Sequence, residues 1–300
     1  GKEWDMSRKR GGLRLLPPFG RQSAGRGDYV SVIDALLAVE GYIRDIKQDY
    51  IYLVRGSLAV NLDLTAVMAA HLKSGADVTA VCTPNTPEGT HHRFVTDENG
   101  RATQLLFRRS GPGPGYAALE AYIMSRDTLL DLLERCDSAM NRRFHRDGLG
   151  GLMEAGGTIN VYMHEGYAVN IADVTGYYEA SMDMLDAKNR RELFPEDRPV
   201  HTKGRADVST YYGDGAVVKN CLVADGCFIE GELENCVIFR GVRIEQGAVL
   251  KNCIIMQDTI IGLGATLNYI ISDKDVTVDG GVTLAGSPKL PLVVPKGSKI

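Results

Sequence analysis

From residue 217 to residue 286 the apolar positions follow two nested periods. A short phrase recurs as Asn220-Cys221-Leu222-Val223, Asn235-Cys236-Val237-Ile238, Asn252-Cys253-Ile254-Ile255 and Asn268-Tyr269-Ile270-Ile271, at intervals of 15, 17 and 16 residues. Within the intervals apolar residues step by six: Val223 and Ile229; Ile238, Ile244 and Leu250; Ile255, Ile261 and Leu267; Val276 and Val282. Self-similarity at a fixed short period means stacked coils, each covering its apolar face only with its neighbours. Six-residue steps grouped in threes describe a triangular prism, a parallel β-helix with those residues inside. Gly226, Gly241, Gly247, Gly262 and Gly264 fall where the chain must turn a corner, which a residue without Cβ does cheaply.

Upstream the periods are those of mixed helix and strand. Ile33, Leu36, Leu37, Ile43 and Ile46 keep helical spacing. Residues 50–54 read as a buried strand, 64–73 as a helix and 78–82 as a second strand, the unit of a parallel sheet covered by helices. Residues 92–96 and 102–107 flank Asp97-Glu98-Asn99-Gly100 and predict a hairpin, since Asn-Gly is a strong turn signal. Residues 110–115, all Ser, Gly and Pro, predict a loop. A strand over 116–124, a helix over 126–136, a hairpin of 158–164 with 167–171, and a helix over 177–190 complete the pattern. Two prolines and a run of charges between 194 and 207 mark a boundary. The expected domains are therefore 1–193 and 211–300, joined by a linker at 194–210. Residues 1–27 carry seven basic and two acidic side chains and open without Met, so a preceding segment is expected.

Composition changes this picture little. Charged residues make up 24% and hydrophobic ones 44% of 300, ordinary for a globular chain, and a formal charge of −4 argues against a nucleic-acid partner. No apolar run is long enough to span a membrane, and no signal peptide is expected. Cys221, Cys236 and Cys253 share one repeat position and no CxxC occurs. The cysteines therefore read as small buried hydrophobes in a reducing, cytoplasmic setting.

The phrase running from Gly166-Tyr167 to Tyr177-Tyr178-Glu179-Ala180-Ser181-Met182-Asp183-Met184-Leu185 resembles the GYWxDVGTxxxYYxANMDLL signature of the ADP-glucose pyrophosphorylases. Residues 138–152, with Phe144, Arg146 and Asp147, resemble that family's FGKDIIP segment. Gly75-Ala76-Asp77-Val78-Thr79 resembles the strand start after its metal-binding turn. The resemblance implies a Rossmann-like α/β nucleotidyltransferase domain followed by a left-handed parallel β-helix of hexapeptide repeats. The reaction it implies is formation of ADP-glucose from ATP and glucose 1-phosphate.

The departures from the family pattern carry more information than the matches. Two family carboxylates hold the magnesium that bridges the triphosphate; the corresponding positions here are Ser57 and Asn170. Neither supplies the anionic oxygen that hard Mg²⁺ prefers. Arg109 and Ser110 stand where the family's FxEKP motif has Glu and Lys, after Phe107, and Gly11-Gly12-Leu13-Arg14 only echoes its phosphate loop. The pattern is similar to the second, D-type subunit that accompanies the catalytic one in some bacteria. No catalytic residue and no resident metal are expected, with Mg²⁺ entering only through a catalytic partner subunit, and the chain is expected to form a hetero-oligomer or homo-oligomer. Arg146 and Asp147 are candidates for sugar-phosphate binding, and Lys289 and Lys296 for an anionic effector. Asp63 and Asp173 are read as helix caps, and His91-His92 as surface residues lacking a third ligand. A catalytically competent sugar-phosphate nucleotidyltransferase is the alternative. A hexapeptide acyltransferase would need a histidine on the prism, and all six lie at or before His201.

Overall fold

The computed structural model describes residues 12–16, 31–84, 92–107, 113–138, 143–201 and 207–300. In chain order the first part holds α1 (Val32–Ala38), α2 (Glu40–Asp45), β1 (Tyr50–Val54), β2 (Leu58–Val60), α3 (Leu64–Ser74) and β3 (Val78–Thr83). Then follow β4 (His92–Thr96), β5 (Ala102–Phe107), β6 (Tyr116–Ser125) and α4 (Arg126–Ser138). A π-helical turn (Phe144–Gly150), α5 (Gly151–Glu154), β7 (Ile159–Met163), β8 (Ala168–Asn170), α6 (Val174–Asp183) and α7 (Ala187–Leu193) lead into the coils. The described residues divide into two compact units: 31–55, 62–84 and 92–164 in one, 56–61 and 165–300 in the other. Of the stretch read as a linker, the described residues 194–201 and 207–210 fall within the second unit.

Local chemistry sets the helix ends of the first unit. The Ser31 hydroxyl accepts from the Asp34 amide at 3.1 Å and opens α1, and Asp63 accepts from Ala66 at 2.9 Å and opens α3. Gly75, at φ 59°, closes α3 in the left-handed conformation that glycine adopts without a Cβ penalty. The single helix expected from Ile33 to Ile46 is two, because Val39 leaves helical geometry at φ −112°, ψ 13°. Every residue of β3 is buried, and Phe94, Tyr122, Ile123, Met124, Leu129, Leu133 and Ile159 fill the core around it.

The sheet runs β5-β4-β6-β3-β7, with β1 also paired to β6. It is mixed, not the parallel unit expected from β1, α3 and β3. The ten-residue β6 inserts between β1 and β3 and runs antiparallel to both, so only β3 and β7 pair in parallel. The 92–107 hairpin forms as expected. The second expected hairpin does not: β7 joins β3, while β8 pairs antiparallel with β2, matching Leu58 to Asn170. The helix expected over 177–190 starts earlier and is interrupted, with Asp173 capping α6 through Gly176 at 2.8 Å and Asp186 capping α7 through Lys188 at 2.7 Å.

The coils form a parallel β-solenoid with three faces of five strands, matching the hexapeptide-repeat left-handed β-helix. Ile229, Ile238, Ile244, Leu250, Ile255, Ile261 and Leu267 are inside, at 2% exposure or less; Val223 and Val282 pack against them from the ends. Of the expected cysteine ladder Cys236 and Cys253 are fully buried, as is Cys227, but Cys221 in the first coil is only half-buried because no full coil covers it; no disulfide joins the six cysteines. Asn220, Asn235 and Asn252 turn one corner at φ 49–53°, a conformation asparagine tolerates better than most residues. Their amides form a ladder: Asn220 donates to Asn235 at 2.7 Å, Asn235 to Asn252 at 3.3 Å and Asn252 to Asn268 at 3.1 Å. Neighbouring coils come close enough that a Cβ at Gly262 would lie 2.7 Å from the Gly280 nitrogen.

One register differs from the sequence expectation. Asn268 pairs with Lys251, so Tyr269, at φ 55°, is the residue that occupies the corner equivalent to Asn252. Ile271 therefore matches Ile254 and faces outward, and Ser272 matches Ile255 inside. The outward pair has a purpose: Tyr178 of α6 packs on Ile254 and Ile271 and donates its hydroxyl to the Asn252 carbonyl at 2.9 Å. Among the described residues no helix is long and apolar enough to cross a membrane.

Two substitutions test this reading. Burying an Ile side chain is worth roughly 1.5–3 kcal/mol and an unpaired buried carboxylate adds a desolvation penalty, so Ile255→Asp is expected to unfold the solenoid. Thermal melting followed by circular dichroism checks it; an unchanged melt would contradict the assigned interior. Asn252→Val loses the ladder on both sides and forces a β-branched residue to positive φ, at a cost of at least about 2 kcal/mol. Asn252→Gly keeps the corner conformation and should cost less in the same denaturant titration.

Candidate functional site

The two positions singled out as metal ligands by resemblance sit side by side in the second unit. Ser57 lies in the turn before β2 and Asn170 ends β8, so pairing of these strands brings the side chains together. The Ser57 hydroxyl donates to Asn170 Oδ1 at 2.6 Å, and the Ile171 amide donates to the Ser57 carbonyl at 2.8 Å. Both side chains are half-buried. The pair is neutral, and the Asn170 oxygen that faces Ser57 already accepts a hydrogen bond. A hard divalent cation prefers carboxylate oxygens and gives up its water reluctantly, so these two residues do not fit magnesium. The nearest acids in sequence are engaged elsewhere, Asp63 and Asp173 each holding the first turn of a helix.

The candidate sugar-phosphate residues separate. Arg146 is exposed on the π-helical turn and lines a pocket with Ser31, Val32, His92, Phe107, Arg143 and His145. Asp147, one residue on, turns away: its carboxylate accepts from the Arg143 amide at 3.1 Å and borders a different pocket with Asp77, Thr128 and Arg135. Arg109 and Ser110 lie outside the described residues, as do His91 and the Gly11 of the phosphate-loop echo. Lys296 is exposed and pairs with Asp275 at 3.4 Å, and Lys289 is exposed on the turn between Ser287 and Leu290.

The pocket beside Arg146 holds a group the sequence did not bring together. His92 is not a surface residue; its side chain is 15% exposed and its ring stacks on that of His145 at 3.8 Å between centroids. Phe107 stands edge-on to His92 at 5.4 Å. Behind the rings Glu120, also 15% exposed, binds Arg55 at 2.9 Å and lies 3.7 Å from His92 Nδ1. Burial alone would raise the Glu120 pKa, but the hydrogen bond from His92 and the neighbouring His145 and Arg55 charges hold it below the ordinary carboxylate value. Burial, with His92 beside it, pushes His145 down to about 4. These three residues come from β4, β6 and the π-helical turn, far apart in sequence. The one sequence signal was a lone acid, Glu120, within the apolar run of β6.

Comparison with known proteins places these sites in context. Residues 208–289 match the family model described as GlmU-like, C-terminal hexapeptide. Over 255 residues the chain is 28% identical to a glucose-1-phosphate adenylyltransferase of Geobacillus stearothermophilus, covering 83% of this chain and 65% of that protein. Similar enzymes of Clostridium novyi (strain NT), 25% identical over 83% of this chain and 66% of theirs, and of Bacillus thuringiensis (strain Al Hakam), 26% identical over 83% and 67%, match as well. The chain thus spans just under two thirds of the length of the first of these relatives.

If charge is what Ser57 and Asn170 lack, the double change Ser57→Asp with Asn170→Asp should create a cation site. Mn²⁺ binding followed by electron paramagnetic resonance is expected to tighten by at least about tenfold, or ~1.4 kcal/mol, over the unmodified chain. Equal affinity in both proteins would mean that the two positions do not face one ion.

Proposed function

We propose that this chain is a regulatory, catalytically impaired subunit of a glucose-1-phosphate adenylyltransferase of glycogen (α-glucan) biosynthesis, resembling the D-type subunit. It modulates a catalytic paralogue that makes ADP-glucose from ATP and glucose 1-phosphate. The observation that carries the reading is the hydrogen bond between Ser57 and Asn170, two neutral side chains at the positions where the resemblance implies metal carboxylates. Phosphoryl transfer depends on metal charge and positioning, so a fold that keeps its strands but loses both anionic ligands gives up much of the electrostatic stabilisation of that step. Magnesium chemistry then belongs to the partner, and the compartment is the cytoplasm where the nucleotide substrate is made.

Such a subunit acts by coupling. Any ligand that prefers one assembled state shifts the partner's substrate affinity by linkage, without chemistry in this chain. The solenoid offers flat, repetitive faces for assembly. Lys289 and Lys296 remain the effector candidates, with Lys296 already satisfied by Asp275. The second reading, a competent nucleotidyltransferase, is favoured by the similarity to glucose-1-phosphate adenylyltransferases over most of the chain. It would require metal ligands from elsewhere, and Asp63 and Asp173 are committed to caps.

Co-expression with a catalytic glucose-1-phosphate adenylyltransferase subunit from the same organism tests the proposal. The two chains are expected to co-purify, and the mixture to differ from the catalytic subunit alone in maximal rate or effector response. Absence of a complex, or a complex with unchanged kinetics, would reject the regulatory role.

A further inference from the structure

We propose that His92, Glu120 and His145 form a binding site for a transition-metal dication of the Zn²⁺ type, its open coordination facing the pocket lined by Arg143 and Arg146. The inference is separate from the regulatory reading and stands or falls on its own ligands. One donor atom from each residue, two imidazole nitrogens and a carboxylate oxygen, lies within 4.8 Å of the others. Tetrahedral Zn²⁺ with bonds of about 2.0–2.2 Å places its donors roughly 3.3–3.6 Å apart. Rotation of half-buried side chains by an ångström or so closes the difference. Two histidines and one carboxylate suit Zn²⁺, Co²⁺ or Ni²⁺ and do not suit Mg²⁺ or Ca²⁺, which take all-oxygen shells.

Three further observations converge on the same place. His145 Nε2 is buried without a hydrogen-bond partner, a costly condition for an imidazole nitrogen and one that a metal bond relieves. Tyr122, whose ring lies 5.9 Å from that of His145, carries a second buried polar atom without a hydrogen-bond partner, its hydroxyl. Glu120 holds φ 54° at an irregularity of β6, where the pairing with β3 jumps from Ala121 to Ala118. A non-glycine residue in that conformation is strained and persists where the surroundings fix it. His145 in turn rides on a π-helical turn, a rare geometry that recurs at functional sites.

Arg55 opposes the ion. Its guanidinium occupies a Glu120 oxygen at 2.9 Å and places a positive charge beside the site. Metal and Arg55 therefore compete for one carboxylate, which makes Arg55 a control on affinity. The pocket beyond carries Arg143 and Arg146, so a phosphate or carboxylate group would complete the coordination of a bound dication.

The test uses the full, tag-free chain and Zn²⁺ alone in isothermal titration, with Co²⁺ absorption as a report on ligand type. Stoichiometric binding is expected at micromolar or tighter affinity, with visible Co²⁺ bands of low-symmetry nitrogen and oxygen ligation. His145→Gln and Glu120→Gln should each weaken it by about tenfold or more, and His201→Gln should leave it unchanged. Arg55→Gln should tighten it several-fold, a gain that impaired folding cannot mimic. No stoichiometric binding by the unmodified chain would overturn the proposal. So would affinity indifferent to His145→Gln, Glu120→Gln and Arg55→Gln, the result expected of an ion held elsewhere on the surface.

Discussion

A coil of a β-helix has no core of its own; its apolar residues are covered only by the coils above and below. Everything in the second unit depends on this stacking. The amide ladder from Asn220 to Asn268 fixes the corner at which successive coils register. That register puts Ile254 and Ile271 on the outside of one face, where Tyr178 of α6 covers them and anchors itself on the Asn252 carbonyl. Because Asp173 caps the same helix three residues after Asn170, the docking of α6 also sets where β8 ends. Strand β8 then meets β2, and Ser57 meets Asn170. A chain of packing contacts thus runs from solenoid corner to the neutral pair.

The consequence for function is electrostatic. The pairing of β2 with β8 places Ser57 directly against Asn170. A serine and an asparagine that bond to each other form a closed, neutral unit and contribute no anionic charge to a metal. The first unit meanwhile keeps a pocket lined by two arginines and two histidines, with Glu120 shielded beside the histidines, a density of polar chemistry that core packing alone does not require.

Legibility from sequence followed the range of the interactions involved. The solenoid was readable because each coil repeats the same local statement, and seven of the expected interior residues lie at 2% exposure or less. Its one misreading, Asn268 for Tyr269 at the last corner, arose because asparagine occurs next to the true corner and still completes the ladder. Helix caps at Asp63 and Asp173 were readable for the same local reason. Sheet order was not: insertion of β6 between β1 and β3, and capture of β8 by β2 in place of β7, are choices among distant strands with similar apolar patterns. The adjacency of Ser57 and Asn170 came from resemblance, since nothing local links a turn serine to an asparagine in another strand. His92, Glu120 and His145 left almost no trace, because three elements contribute one residue each and the strained backbone at Glu120 has no sequence signature.

The central claim is that this chain lacks the charge needed to run the transfer by itself. The most direct measurement is ADP-glucose formation by the purified chain alone, with saturating ATP, glucose 1-phosphate and Mg²⁺. The account predicts no turnover above the uncatalysed rate. Turnover near an ordinary enzymatic value of about 10 per second would contradict it, and would mean that ligands other than Ser57 and Asn170 hold the metal.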